Sequence, residues 1–286
     1  MNMESHQPTL APGDQVFLGR HYVTVEKFLR LGPALENYPV ENYCVLAKSL
    51  QKPNTVALRT LRKIPHTSKY LVDAALGEFD ILASPREGGH PHIVELIDHA
   101  TLYNPYRGRT TYNIYYLFAD EEIGTLADII EDLKKANRKP SEKEVLEIAL
   151  QICEAVSFLH NFRPPLIHRN ISPNNIVKTN RNVVKLSGFM GVALELDPYA
   201  LDETIIPVLL DDIICYTDLC SRSPEMVTPQ VHLGITTKSD VWSMGVVLYS
   251  AAFKRTIFPL DSSPVKISYQ PHLAYRHVVA IIGKYI

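Results

Sequence analysis

A change of hydrophobic period near residue 120 limits what this chain can fold into. Before it, strand-like runs occupy 22–31, 43–49, 55–61, 93–101 and 112–118, broken by one helical stretch over 68–83. Gly88-Gly89 and Asn104-Pro105-Tyr106-Arg107-Gly108 read as loops between them. From Gly124 onward the period becomes helical. Thr125 caps a helix with Asp128 in its first turn, and Ser141-Glu142-Lys143-Glu144 is a capping box that opens a second, longer helix. The apolar stripe Val145, Ile148, Ala149, Ile152, Ala155, Val156, Leu159 has the spacing of one buried helical face. The expectation is an α+β fold in two lobes. A loose leader covers 1–20, a five-stranded β lobe with one helix covers 21–120, and a mostly α lobe covers 121–286.

Composition narrows the function classes. With 286 residues and 46% hydrophobic content the chain can bury a sizeable core. A net charge of −2 gives no argument for binding nucleic acid or a membrane surface. The N-terminal residues are polar, without the apolar core of a signal peptide, and no run reaches the roughly 18 apolar residues of a membrane span. Cys44, Cys153, Cys215 and Cys220 show no metal-type pairing and read as free thiols in a reducing compartment. Together these point to a cytoplasmic protein, with the nucleus also open to it.

Several short stretches carry recognisable chemistry in a fixed order. Thr55-Val56-Ala57-Leu58-Arg59 ends a strand-like run, and Gly77-Glu78-Phe79-Asp80-Ile81-Leu82 is followed by His90-Pro91-His92-Ile93-Val94. Further on come His168-Arg169-Asn170-Ile171-Ser172-Pro173-Asn174-Asn175 and Leu186-Ser187-Gly188-Phe189-Met190. Ser223-Pro224-Glu225 and Ser239-Asp240-Val241-Trp242-Ser243-Met244-Gly245 complete the series. Alone, any one of these would be chance; their order and spacing are not.

From about residue 23 to 258 the chain resembles the eukaryotic protein-kinase domain, and its departures fall on the chemistry. Where the family has His-Arg-Asp, this chain has His168-Arg169-Asn170, with Asn175 at the offset of the metal-binding Asn. The missing Asp would take the proton of the substrate hydroxyl. An Asn amide has no basic site near neutral pH. Gly188 and Met190 stand where the Asp and Gly of Asp-Phe-Gly belong, so one Mg²⁺-holding carboxylate is absent. Asn175 alone offers only a neutral carbonyl oxygen, and no metal site is expected. Arg59 replaces the phosphate-pairing Lys, a wide planar fork in place of a compact ammonium. The phosphate-covering loop is reduced to one glycine, Gly32, followed by Pro33. Glu78 is either the helix carboxylate that pairs with Arg59 or a solvated residue. His168, Glu225 and Asp240 match positions with structural duties.

The pattern is that of a pseudokinase. Leu186-Ser187-Gly188 with Arg59 is similar to the STRAD pseudokinases of the STE20 group. That resemblance implies an allosteric adaptor that activates a partner serine/threonine kinase, with a scaffold protein as a further partner. It admits ATP, bound without Mg²⁺, in a pocket formed by Leu31, Ala57, Arg59, Glu78, Ala119, Glu121, Asn175 and Val177. Tyr116 to Glu121 falls at the hinge, with Ala119 at the gatekeeper position. The alternative is a weak or unconventional serine/threonine kinase.

Between Gly188 and Glu225 lies the expected activation segment, acidic and apolar. Thr204, Thr217, Ser221 and Ser223 are its candidate phosphorylation sites, and none is singled out by its flanks. Val208-Leu209-Leu210 and Ile213-Ile214 either dock a partner or pack on the larger lobe. About 34 residues follow Ala252, which implies a larger lobe truncated or divergent after about 258.

Overall fold

The computed structural model describes residues 10–18, 21–31, 41–49, 55–65, 77, 81–82, 89–106, 109–119, 122–195, 203–231 and 234–257. They divide between two compact units. One comprises 1–89, 94–123 and 179–181; the other comprises 90–93, 124–178 and 182–286.

The first unit is built on an antiparallel sheet of six strands. These are β1 (Gln15–Leu18), β2 (His21–Leu31), β3 (Glu41–Ser49), β4 (Thr55–Pro65), β5 (Leu96–Tyr106) and β6 (Arg109–Phe118), in the order β1-β2-β3-β4-β6-β5. Alternation shows on β2, where Val23 and Val25 are buried and Tyr22 is exposed. Strand β6 ends in a continuous buried run, Ile114 to Phe118, as suits a strand covered on both faces. One core cluster joins Val16, Val23, Val25, Val45, Ala47, Tyr115 and Leu117. On the other face of β6 the rings of Tyr116 and Phe118 stack with centroids 6.1 Å apart.

Three differences from the sequence reading have physical causes. The sheet has six strands rather than five. Residues 15–18, assigned to a loose leader, pair with β2 and bury Val16, while Leu10 packs against the same cluster. The stretch from Asn104 to Tyr106, read as a loop, continues β5 in register with Thr111, Thr110 and Arg109. Proline lacks the N–H that a central strand needs, but β5 is an edge strand and Pro105 is tolerated there. Of the helix expected over 68–83, the described residues Gly77, Ile81 and Leu82 are helical, and the others lie outside the described residues.

The short strand β7 (Glu122–Thr125) leads into the second unit, whose larger helices are α1 (Leu126–Lys135), α2 (Glu142–His160) and α5 (Thr237–Phe253). Between α2 and α5 run β8 (Leu166–Ile167), the hairpin of β9 (Ile176–Thr179) and β10 (Val184–Leu186), β11 (Ala193–Leu194), α3 (Ile206–Tyr216) and α4 (Pro224–Val227). The expected capping box of Ser141 with Glu144 is formed, and the Thr125 cap is itself a capping box with Asp128. On α2, Val145, Ile152, Ala155, Val156 and Leu159 are buried, with Ile148 and Ala149 half-buried beside them. Helix α2 packs on α5. Among the described residues no helix is long and apolar enough to cross a membrane. Cys153, Cys215 and Cys220 are free thiols. The expected shortening of the larger lobe after about 258 lies outside the described residues.

The cap of α2 has a pH signature. Glu144 accepts the Ser141 N–H at 2.7 Å and both terminal nitrogens of Arg138, at 3.0 and 3.1 Å. The Arg138 guanidinium first, and the Ser141 groups after it, pull the Glu144 carboxyl down from 4.5 to about 2. A depressed carboxylate pKa adds stability above the unfolded value, and that stability is lost as pH falls toward the folded one. Glu144→Gln is therefore expected to lower the melting temperature at pH 7 and to match the wild type near pH 2. The pair is exposed and screened, so the loss is that of a helix cap, about 1 kcal/mol or about 2–4 °C. Melting curves of both proteins between pH 2 and 7 test this, and a difference constant across that range counts against it.

Candidate functional site

The second unit's site is assembled on a buried carboxylate. Asp240, in the first turn of α5 and fully buried, accepts the backbone N–H groups of His168 and Arg169 at 2.8 Å each. His160 Nε2, at the end of α2, lies 2.9 Å from the same carboxylate. Two adjacent N–H groups on one carboxylate fix the chain between β8 and β9. Arg169 is held there at φ +60°, a conformation a bulky residue keeps only when its surroundings impose it. The His168 ring meets the Phe189 ring edge-on at 4.8 Å, so the two motifs touch through their apolar members.

Three positions read from the sequence as chemically degraded or metal-binding come together. Asn170 Oδ1 accepts the Asp218 N–H at 2.9 Å, and the Asn170 carbonyl accepts Asn175 Nδ2 at 2.9 Å. Asn175 is buried, and its own carbonyl accepts both the N–H and the hydroxyl of Ser187, at 2.8 and 3.0 Å. That places Gly188 directly beside the Asn175 side chain. Gly188 has φ +79°, and a Cβ added to it would lie 2.5 Å from Asn175 Oδ1 and 2.6 Å from Cγ. The amide fills the space that a side chain at Gly188 would enter.

Chemically, this trio can hold backbone and little else. Neither Asn170, Asn175 nor Gly188 brings a carboxylate, whereas Mg²⁺ in phosphate sites is held by carboxylate and phosphate oxygens. The donor set does not fit that ion. Asn170 has one acceptor oxygen, already engaged by Asp218, and no basic atom. Among the described residues no cluster of three metal-ligating side chains exists.

Of the positions expected to contact nucleotide, Leu31, Ala57, Arg59 and Ala119 belong to the first unit, and Asn175 and Val177 to the second. Leu31 ends β2 opposite Tyr43, Ala57 lies on β4 opposite Leu46, and Arg59 stands on β4 between Cys44 and Tyr116. Ala119 follows β6, half-buried, and donates its N–H to the Glu95 carbonyl at 2.9 Å. Val177 is buried on β9 opposite Lys185. Glu78 and Glu121 lie outside the described residues, as do residues 32–40 with Gly32 and Pro33, and so does the expected Arg59–Glu78 pair.

Two partners were missed in the sequence. Arg169 Nε donates to the Gly191 carbonyl, and Nη1 lies 2.5 Å from Asp212 Oδ2 on α3. Glu225, expected to be structural, accepts the Ser239 hydroxyl at 2.6 Å. Helix α3 was not anticipated, although Pro207 in its first turn is a helix-start signal. Of the apolar residues there, Ile213 is buried, Leu209 packs with Ile167, Met226 and Ile235, and Val208 is exposed.

The protein kinase domain family matches residues 42–278, and the chain belongs to that family. Among its relatives, the serine/threonine-protein kinase ppk30 of Schizosaccharomyces pombe is 30% identical over 248 residues, 86% of this chain and 24% of that protein. Actin-regulating kinase 1 of Saccharomyces cerevisiae is 27% identical over 247 residues, 86% of this chain and 37% of the relative. Actin-regulating kinase PRK1 of the same yeast is 27% identical over 251 residues, 86% and 29%. The chain thus spans between a quarter and somewhat over a third of these relatives' length, and they are named as kinases.

The Gly188–Asn175 contact yields a direct test. Gly188→Ala forces a Cβ against a short, hydrogen-bonded amide at a left-handed backbone position, and is expected to cost about 1–3 kcal/mol. Adding Asn175→Gly removes the obstacle, so the double variant should be less destabilised than the sum of the singles by about 1 kcal/mol or more. Urea unfolding of the four proteins measures this coupling; strict additivity would show that Asn175 yields freely.

Proposed function

We propose that this chain is a pseudokinase, a protein kinase domain that acts by binding rather than by phosphate transfer. The observation that carries the reading is the Asn170–Asn175–Gly188 arrangement. Its one candidate base is an amide turned to Asp218, and its metal position is a glycine overlain by a second amide. At Gly188 a restored carboxylate has no room, because the Asn175 amide occupies the space it would enter.

In this reading the chain is an adaptor that activates a partner serine/threonine kinase by holding a fixed kinase-like shape, in the manner of the STRAD pseudokinases. ATP, bound without Mg²⁺, is the structural ligand of this reading. A scaffold protein is a second partner, and the cytoplasm, extending to the nucleus, is the setting. Two relatives are named for regulating actin, and the partner kinase proposed for this chain is one of that kind.

The second reading, since the relatives are named as kinases, is a weak or unconventional serine/threonine kinase. Thermal melts with ATP, in Mg²⁺ and in EDTA, separate the two. The adaptor reading expects equal upward shifts in both, worth about 2.7 kcal/mol at a hundredfold excess over Kd, and no transfer of labelled phosphate. A shift confined to Mg²⁺, with label appearing on protein, establishes the kinase reading. Asn170→Asp, Gly188→Asp and Arg59→Lys introduced in turn should leave an adaptor inert, whereas a residual kinase gains activity in steps.

A further inference from the structure

A kinase switched by phosphorylation keeps its activation segment loose until a phosphate on that segment pairs with arginine. In this chain the arginine already has an anion. Arg169, 7% exposed, meets the carboxylate of Asp212, 19% exposed, at 2.5 Å. A buried guanidinium requires such a counter-charge, and Asp212 supplies it from within the segment itself.

The rest of the stretch is fastened in the same way. Asp218 N–H is bonded to Asn170 Oδ1, Arg222 Nε donates to Thr217 Oγ1 at 2.7 Å, and Ser243 Oγ donates to the Ser221 carbonyl at 2.8 Å. Three of the four candidate phosphorylation sites are closed off: Thr217, Ser221 and Ser223 are buried. Thr217 is also bonded to the Ile213 carbonyl through its hydroxyl. A modifying enzyme would have to unfold the segment to reach them.

We propose that Asp212 is a permanent, genetically encoded counter-ion for Arg169, and that it holds residues 206–223 in one conformation without phosphorylation. The proposal concerns the shape of the segment and stands whether or not the chain transfers phosphate.

Hydrogen exchange read by mass spectrometry, on the full chain made in bacteria and shown by intact mass to carry no phosphate, tests it. The unmodified wild type should protect the amides of α3 and of 217–223. Asp212→Asn, which keeps size and removes charge, should speed exchange across 206–218 by about tenfold or more. Asp212→Glu should restore protection, and Asp211→Asn, an exposed neighbour on the same helix, should change nothing. Peptides from β9 and β10 serve as the internal control and should exchange alike in every protein. Wild-type-like exchange over 206–218 in Asp212→Asn overturns the proposal. So does rapid exchange there in the phosphate-free wild type, a measurement that needs no variant.

Discussion

Everything in the second unit's site hangs on the carboxylate of Asp240. A charge with no solvent exposure is tolerated only where hydrogen bonds replace water, and here three donors do so: the N–H groups of His168 and Arg169 and the ring of His160. Because two of the donors are successive backbone groups, the bonds also dictate the path of the chain. That path turns Arg169 into a left-handed conformation and aims its guanidinium at Gly191 and Asp212. It equally sets the His168 ring on Phe189 and brings Asn170 within reach of Asp218. One buried anion on the central helix thus orders two loops that are distant in sequence.

In the reading proposed above, this site keeps its scaffold and gives up its chemistry. Interactions that shape the loops are complete: the Asp240 anchor, the His168–Phe189 ring contact, and the Glu225–Ser239 bond. Where the resemblance expects a base and a metal-holding carboxylate, the chain carries Asn170 and Gly188. The replacements also fit one another. With no side chain at Gly188, the Asn175 amide settles against it while bonding to Asn170. A lone loss of the base would leave a nearly intact site; a set of mutually packed losses leaves a differently built one.

How much of this was legible in sequence depended on range. The Thr125 cap, the Ser141 capping box and the α2 stripe are local patterns, and they formed as read. The anchors were found because His168, Glu225 and Asp240 sit at fixed offsets within a family order. Pro105 misled because a proline argues against a strand unless the strand is at an edge, and edge position is a property of the assembled sheet. Helix α3 was hidden because Ile205, Ile206, Val208, Ile213 and Ile214 are β-branched and weak helix formers, and its N-terminus has no side-chain cap. Packing of Leu209 and Ile213 on Ile167 and Met226 overrides that propensity.

The hidden helix changes how the segment between Gly188 and Glu225 is understood. Read as sequence, its aspartates are scattered acid among apolar residues, and its hydroxyls are open candidates for modification. Once 206–216 is helical, Asp211 and Asp212 point apart, one into solvent and the other onto Arg169. The same winding turns Ile213, Cys215 and Tyr216 inward and carries Thr217 into a buried bond with Arg222. The helix thus separates a solvated charge from a structural one, and the exposed Thr204 before it from the closed Thr217 after it. Regulation by phosphate needs a segment with two states of similar energy; a segment whose anion, Thr217 hydroxyl and apolar face are all satisfied at once has little reason to populate a second.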